Sequence, residues 1–187
     1  MKKFFIAIGS IIAILAVIIL IGGSYFAKQF NQMLINGGFV VEWNTTDGEI
    51  LKDLSYGESY RNTYDLYLPA NKSPKALMLF IHGGSWSGGD KADETVRCRL
   101  LASQGYIVAN VNYTLWSEET SDTYHVNQVL DELDAALLQV KEFAAERGIT
   151  IDQAAVSGYS AGAHLAMLYA YSRGETAPLD IAFAASM

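Results

Sequence analysis

The chain has 187 residues, 51% of them hydrophobic and 12% aromatic, which is enough apolar material for one globular core and too much for a disordered chain. Its formal net charge of −7 argues against a nucleic-acid partner, because no basic stripe is present to neutralise phosphates. The single cysteine, Cys98, excludes an intramolecular disulfide and a cysteine-based zinc site, and we expect no metal or other cofactor.

The first 23 residues differ in kind from the rest. Lys2 and Lys3 precede an uncharged run over residues 4–23, which as a helix is just long enough to cross a hydrocarbon core. The pattern predicts an uncleaved signal anchor at 1–23. The alternative is a cleaved signal peptide and a secreted protein, but such a peptide normally has a shorter apolar run and a recognisable cleavage site.

The two lysines stay in the cytoplasm by the positive-inside rule. We therefore expect a single-pass protein of the cell membrane with its domain on the extracytoplasmic side. Residues 24–44 are interpreted as a juxtamembrane linker, and residues 45–187 as the domain.

Strand and helix patterns alternate along residues 45–187. Residues 60–68 alternate polar and apolar side chains and end at Pro69, which predicts a partly exposed strand near a sheet edge. Residues 75–81 are apolar throughout, as in a strand buried on both faces. Further strands are predicted at 106–111, 153–157 and 181–186, and helices at 92–103, 125–146 and 161–172. This alternation predicts an α/β fold, with a mostly parallel sheet and helices on both faces.

A G-x-S-x-G motif, Gly158-Tyr159-Ser160-Ala161-Gly162, falls between a predicted strand and a predicted helix. On such a turn the backbone is strained, the serine hydroxyl is exposed, and the glycines let strand and helix approach closely. The start of the helix also directs amide donors toward any anion formed beside Ser160. The alternative is a glycine-rich turn that contains an incidental serine.

A second glycine motif, His82-Gly83-Gly84-Ser85-Trp86, follows the buried strand 75–81. Glycines at this place let backbone N–H groups turn toward a carbonyl oxygen, as in an oxyanion hole. Two motifs in this order are more specific than either one alone. Trp86, with Trp116, Tyr113 and Tyr159, could line an acyl or aryl pocket, although core packing explains these aromatic side chains equally well.

The segments IHGGSWSGGDK and SGYSAGAHLA resemble the esterase/lipase branch of the α/β-hydrolase fold, near the hormone-sensitive-lipase and bacterial feruloyl-esterase-like families. The resemblance extends from about Tyr56 to Met187. It implies an α/β-hydrolase domain that hydrolyses small carboxylic esters through an acyl-enzyme on Ser160.

The same resemblance assigns the oxyanion hole to the amides of Gly83, Gly84 and Ala161. Ser85 occupies the place of a third glycine and is an alternative donor beside Gly84, because serine also carries a backbone N–H.

The chain differs from the family pattern in its catalytic acid and base. In this fold the acid and then the histidine follow the serine along the chain. After Ser160 come only Glu175 and Asp180 as acids and His164 as histidine, and His164 is interpreted as a packed helix residue. We give His82 and His125 little weight as bases. The sequence therefore predicts the N-terminal part of an α/β-hydrolase domain, truncated after the nucleophile and inactive as it stands.

Three further expectations remain open. The strand at 181–186 would leave a sheet edge exposed and able to associate with another chain. An amidase or peptidase of the same fold is an alternative, because ester and amide acyl transfer use the same parts. A non-catalytic, membrane-tethered fragment completed in trans by a second polypeptide is the other alternative.

Overall fold

A computed structural model of the chain describes residues 42–70, 74 and 76–187. The predicted signal anchor at 1–23 and most of the linker at 24–44 lie outside the described residues. Within the described ranges, no helix is both long enough and apolar enough to cross a membrane.

Strands and helices alternate through the described part of the chain. The strands are β1 (Gly48–Ser55), β2 (Thr63–Pro69), β3 (Leu77–Ile81), β4 (Ile107–Val111), β5 (Gln153–Gly158) and β6 (Asp180–Ser186), and the α-helices are α1 (Thr95–Ser103), α2 (Val126–Glu146) and α3 (Ala161–Arg173). Short 3-10 turns cover Lys91–Glu94 and Glu118–Thr120. Within residues 45–187, every predicted strand and helix is confirmed, whereas β1 was not predicted.

The strands form one sheet in the order β1-β2-β4-β3-β5-β6. Strands β3, β4, β5 and β6 run parallel to one another. At one side of the sheet, β2 pairs antiparallel with β4, and β1 pairs antiparallel with β2. Ile81 of β3 pairs with Gly158 of β5. Because parallel strands end at the same edge of a sheet, the segments that follow these two residues emerge side by side.

The prediction that the strand at 60–68 is partly exposed was wrong, although β2 does lie next to the edge strand β1. Strand β2 lies between β1 and β4, and its central residues are buried. Its polar residue Asp65 is buried against the ammonium of Lys91, with 2.6 Å between Oδ1 and Nζ. The polar face of this alternating strand therefore contacts another buried charge and not water.

Helices cover both faces of the sheet, as predicted. Helix α2 packs on one face because its apolar residues recur at the helical period, and α3 contributes Leu165 and Tyr169 to the same core. Helix α1 covers the opposite face, where Cys98 and Phe80 belong to a smaller core. The two cores hold the central strands in place, and the strand ends carry both glycine motifs.

Candidate active site

Ser160 stands on a strained turn between β5 and α3. Its backbone has φ 51° and ψ −115°, a region that non-glycine residues rarely adopt and that costs about 1–3 kcal/mol. The turn is held by backbone hydrogen bonds: the Gly162 amide donates to Tyr159 O at 2.8 Å, and the Ser160 amide donates to Met187 O at 3.1 Å. The hydroxyl-bearing residue itself is exposed. The strain therefore serves to present the serine to solvent.

Close contact between α3 and the end of β3 requires the second glycine of the motif. An added Cβ on Gly162 would lie 2.1 Å from the carbonyl oxygen of Ile81 and 2.6 Å from that of His82. These neighbours are backbone atoms at the end of central strand β3 and just after it, and they cannot move easily. The start of α3 therefore lies directly against the C-terminal end of β3, where the His82-Gly83-Gly84 motif begins.

The loop that follows β3, residues 82–89, lies next to Ser160. A Cβ placed on Gly83 would be 3.3 Å from the Cβ of Ser160 and 2.9 Å from the carbonyl oxygen of Tyr159. The structure therefore brings together the two glycine motifs that are 70 to 80 positions apart in the sequence.

The loop has an unusual backbone at consecutive residues. Gly84, Ser85 and Trp86 have φ values of 122°, 53° and 60°. Left-handed backbone costs a non-glycine residue about 1–2 kcal/mol, and persists where surrounding contacts enforce it. Here the amides of Ser87 and Gly88 both donate to Gly84 O, at 3.2 and 2.9 Å, and the Trp116 amide donates to Trp86 O at 2.8 Å.

These carbonyl contacts determine where the loop amides point, because a trans peptide directs its C=O and N–H in opposite directions. The Gly83 carbonyl is bound at 2.6 Å by the ring of His82, so the Gly84 amide points the other way. The Gly84 carbonyl is occupied within the loop, so the Ser85 amide points outward. Neither amide donates a hydrogen bond to any residue that the structure describes.

The amide of Gly83 has a different environment. The Tyr113 hydroxyl donates to His82 O at 3.2 Å, and the opposite side of that peptide, the Gly83 N–H, interacts with the carboxylate of Glu94. Burial raises the pKa of Glu94, and the neighbouring Arg97 guanidinium and the Gly83 amide oppose that shift. Of the predicted loop donors, Gly84 therefore faces outward and Gly83 faces a buried carboxylate.

Ala161 supplies the third unpaired amide. The His164 amide donates to Ser160 O at 3.1 Å, so the N–H of the same peptide, that of Ala161, points away from the helix. This amide donates to no residue of the described ranges and lies at the positive end of α3. It is therefore placed to stabilise negative charge near Ser160.

His82 is a fully buried residue at the base of the loop. Its ring stacks on Tyr113 with 4.4 Å between centroids, and its two nitrogens contact Gly83 O at 2.6 Å and an Arg61 amino group at 3.1 Å. Burial lowers the pKa of His82 to about 4; Arg61 also lowers it, whereas the hydrogen bond to Gly83 O and the carboxylates of Asp90 and Asp93 raise it. His82 is therefore neutral near pH 7, and both nitrogens are in use.

The rings of the other two histidines form no hydrogen bond with Ser160. His164 packs edge-on against Trp86, with 5.4 Å between ring centroids, one helical turn after the serine. His125 is the N-terminal cap residue of α2, and its side chain makes no capping hydrogen bond. Within the described ranges, no hydrogen bond joins Ser160 to a histidine ring, to Glu175 or to Asp180.

An open, mostly apolar cleft of about 580 Å³ adjoins the loop. It is lined by Ser85, Trp86, Trp116, Tyr124, Val126, His164 and Leu168. Trp86 and Trp116 are about 40% exposed, so they serve the cleft and not the core, whereas Tyr113 is buried against His82. No group of three or more acidic, histidine or cysteine side chains in the described part could hold a metal ion.

Arg61, Glu94 and the cleft residues Tyr124, Val126 and Leu168 were missed by sequence reasoning. None of them lies in either glycine motif, and each reaches the site from a different element. The arginine precedes β2 by two positions, and only the sheet order shows that this end of β2 lies beside β4 and the loop.

The sheet order, the elbow and the glycine loop together place the protein among the α/β-hydrolases of the esterase and lipase type. The chain belongs to the BD-FAE family, whose model matches residues 64–185.

Two named proteins are similar in sequence to this chain. A protein of Oryza sativa subsp. japonica named "Probable isoprenylcysteine alpha-carbonyl methylesterase ICME" is 32% identical over 119 residues, which are 63% of this chain and 28% of that protein. Kynurenine formamidase of Danio rerio is 30% identical over 121 residues, 64% of this chain and 38% of the relative. The chain thus spans less than two fifths of the length of these two relatives.

Among solved structures, esterase B of Lactobacillus rhamnosis superposes with a TM-score of 0.66 at 25% identity. The match covers 91% of this chain and 57% of the esterase.

Proposed function

We propose that the chain carries the nucleophile and oxyanion hole of a serine hydrolase for small, uncharged carboxylic esters. One observation carries the proposal: the strained, exposed Ser160 lies beside the glycine loop, and the amides of Gly84, Ser85 and Ala161 donate to no residue that the structure describes. The names of the relatives, which include methylesterases, agree with this chemistry.

The reaction follows from this arrangement. The Ser160 hydroxyl oxygen adds to the ester carbonyl carbon as its proton passes to a base, and the carbonyl oxygen becomes an anion. The amides of Gly84, Ser85 and Ala161 donate to that anion, and one such donor contributes about 3–4 kcal/mol in comparable enzymes. Collapse of the intermediate breaks the bond to the alkoxy oxygen, which takes the proton back from the base and leaves as the alcohol; water then hydrolyses the acyl-enzyme to the acid.

Ser85 replaces Gly83 as a donor in this proposal. The amide of Gly83 is directed at Glu94, whereas that of Ser85 points out of the loop. A serine at this position keeps the backbone N–H that the role needs.

The cleft beside the loop selects an uncharged substrate. Five of its seven lining side chains are apolar or aromatic, the other two are Ser85 and His164, and none is an acid, a lysine or an arginine. A charged group in such a cleft would lose its hydration without gaining a partner. We therefore assign the cleft to the apolar acyl or alcohol group of the ester.

Among the residues that the structure describes, no histidine is placed to act as a general base for Ser160. The nitrogens of His82 are occupied, His164 packs on Trp86, and His125 begins another helix. Oxyanion stabilisation and binding without a complete triad still accelerate such reactions about 10³–10⁴-fold over water. The expected activity of the chain is therefore slow acylation of Ser160 that an added base accelerates.

The test is phosphonylation of the full chain by a fluorophosphonate, with peptide mass spectrometry to locate the label and with Ser160→Ala as the control. Preferential labelling of Ser160, accelerated by added imidazole, supports the proposal. Labelling spread over other serines without preference for Ser160, in folded protein, contradicts it and favours the non-catalytic alternative. Rapid turnover of p-nitrophenyl acetate without imidazole contradicts the absence of a base.

Amide hydrolysis is the second candidate, favoured by the similarity to the Danio rerio protein named kynurenine formamidase. Amide cleavage needs the leaving amine to be protonated, so it depends on a general acid more than ester cleavage does. Rates with N-formylaniline and phenyl formate, which share one acyl group, discriminate the two. A larger specific rate with the anilide would show an amidase.

We also propose that residues 1–23 anchor the domain on the extracytoplasmic side of the cell membrane, on the evidence of the two lysines and the following apolar run. Retention of the chain in carbonate-washed membranes and its digestion by protease added to intact spheroplasts would support this topology. Recovery of a shortened, freely secreted chain would show signal cleavage instead.

A further inference from the structure

We propose that Arg61 is a positioning residue that selects the tautomer of His82 and thereby aims the Gly84 amide at the reacting carbonyl group. Its catalytic consequence rests on the proposed function, whereas its effect on His82 does not.

The guanidinium of Arg61 ties together three segments at the base of the oxyanion loop. Its Nε donates to Tyr113 O at 2.8 Å, just after β4. One of its amino groups donates to Gly89 O at 3.0 Å, where the loop ends, and lies 3.1 Å from Nε2 of His82, where the loop begins. A planar fork with fixed donors suits such a set of acceptors.

The contact between Arg61 and His82 fixes where the imidazole proton resides. Arginine has donors and no acceptor, and it stays protonated in proteins. The Nε2 atom of His82 must therefore offer its lone pair to Arg61, at 3.1 Å. The single proton of the neutral ring is then on Nδ1.

The position of this proton decides the orientation of the next peptide. The Nδ1–H of His82 donates to the carbonyl oxygen of Gly83 at 2.6 Å. In the opposite tautomer, two lone pairs would face each other at that distance and repel, so the peptide would rotate. Because the Gly83 carbonyl and the Gly84 amide belong to one planar unit, that rotation would turn the amide away from the site.

Arg61 acts here through hydrogen-bond polarity and not through packing. The stacking of His82 on Tyr113, with 4.4 Å between centroids, places the ring without regard to its tautomer. Removing the guanidinium should therefore leave His82 in place and change which nitrogen is protonated.

The experiment is two-bond ¹H–¹⁵N correlation NMR of the histidine rings in the full chain. The chain has three histidines, so His125→Gln and His164→Gln variants assign the His82 signals. In the wild type we expect a neutral ring with protonated Nδ1 and unprotonated Nε2 at pH 7. In Arg61→Met, protonated Nε2 should appear. Arg147→Met is the matched control, because Arg147 pairs with exposed Glu49 outside the site, and it should leave the His82 signals unchanged.

Arg61→Met should also slow the phosphonylation of Ser160 about 100-fold, the usual effect of losing one oxyanion donor. Arg61→Lys keeps the charge without the fork and should not restore the rate. The proposal is overturned if wild-type His82 carries its proton on Nε2, or if folded Arg61→Met keeps the wild-type tautomer. If wild-type Ser160 does not react at all, the proposed function fails, and the NMR result still decides whether Arg61 selects the tautomer.

Discussion

Replacing Gly162 by alanine tests whether the contact between α3 and β3 holds the elbow against the oxyanion loop. From helix propensity alone, glycine to alanine in a helix should stabilise the protein by about 1 kcal/mol. The structure predicts the opposite sign. The new Cβ would lie 2.1 Å from Ile81 O and 2.6 Å from His82 O, and real Cβ contacts essentially never fall below 3.0 Å.

Relief of these contacts needs a displacement of about 0.9 Å between the start of α3 and the end of β3. Both neighbours are backbone carbonyls, one at the end of a central strand and one just after it, so a side-chain rotation cannot provide this displacement. Overpacking of a rigid site costs about 1–3 kcal/mol and occasionally more, and we expect a net loss of about 3 kcal/mol. Because α3 begins directly after Ser160, a displacement near 1 Å should also lower the phosphonylation rate about 100-fold.

The assays are urea unfolding followed by circular dichroism and the rate of Ser160 phosphonylation. The matched control is Gly148→Ala. Gly148 has φ 73° and no atom within 4 Å of an added Cβ, so it should cost only the left-handed backbone strain of about 1 kcal/mol and leave Ser160 reactivity unchanged. A Gly162→Ala protein with wild-type stability and reactivity would refute the reasoning.

Three further predictions concern strain, protonation and a buried ion pair. Ser160→Gly should raise the free energy of unfolding by about 1–2 kcal/mol, because glycine tolerates φ 51°, whereas Ser160→Ala should not; equal stabilities would contradict stored strain at the elbow. The pKa of His82 is lowered to about 4 in the folded chain, so between pH 6.5 and 4 the unfolded chain binds more protons than the folded one. The free energy of unfolding should therefore decrease as the pH is lowered through that window, by at most about 1.4 kcal/mol per pH unit. Urea unfolding at several pH values should show a shallower slope in His82→Gln than in wild type, but an unchanged slope in His125→Gln. Lys91→Met leaves the buried Asp65 carboxylate without its closest cation and should cost about 3–5 kcal/mol, and adding Asp65→Asn should recover part of this loss; additive losses in the double variant would show that the pair is not coupled.

The parallel core of the sheet was predictable because its strands are buried on both faces. Strands β3, β4 and β5 are short apolar runs separated by amphipathic helices, and such runs have few other interpretations. The antiparallel side was harder. Strand β1 has exposed and half-buried residues in irregular order and only three apolar side chains, so its sequence resembles that of a surface loop.

The error at β2 has a specific physical origin. Alternation of polar and apolar residues predicts a strand with one solvent-exposed, polar face, and Asp65 belongs to that face. In the folded chain Asp65 is 3% exposed and paired with Lys91, which is 26 positions away. A charge that is satisfied by a distant partner has the same local sequence pattern as a charge that is solvated.

The candidate site also has residues that the sequence could predict and residues that it could not. Ser160 and the glycine loop could be found from local motifs because each lies on one short segment. Arg61 and Glu94 could not, because their roles depend on contacts that the fold creates between β2, the loop and α1. The choice between Gly83 and Ser85 as donors also needed the structure, since only the carbonyl partners reveal how each peptide is turned.

The left-handed backbone at Ser85 and Trp86 separates two tasks within one loop. The amides are aimed by contacts on the buried side, while the side chains of the same residues line the cleft. Substrate preference could therefore be redesigned at these two positions without rebuilding the oxyanion hole. Few residue types are compatible with this backbone, however: asparagine, aspartate and glycine tolerate positive φ, and β-branched residues do not. Randomised libraries should be enriched in those three residues among the variants that still fold.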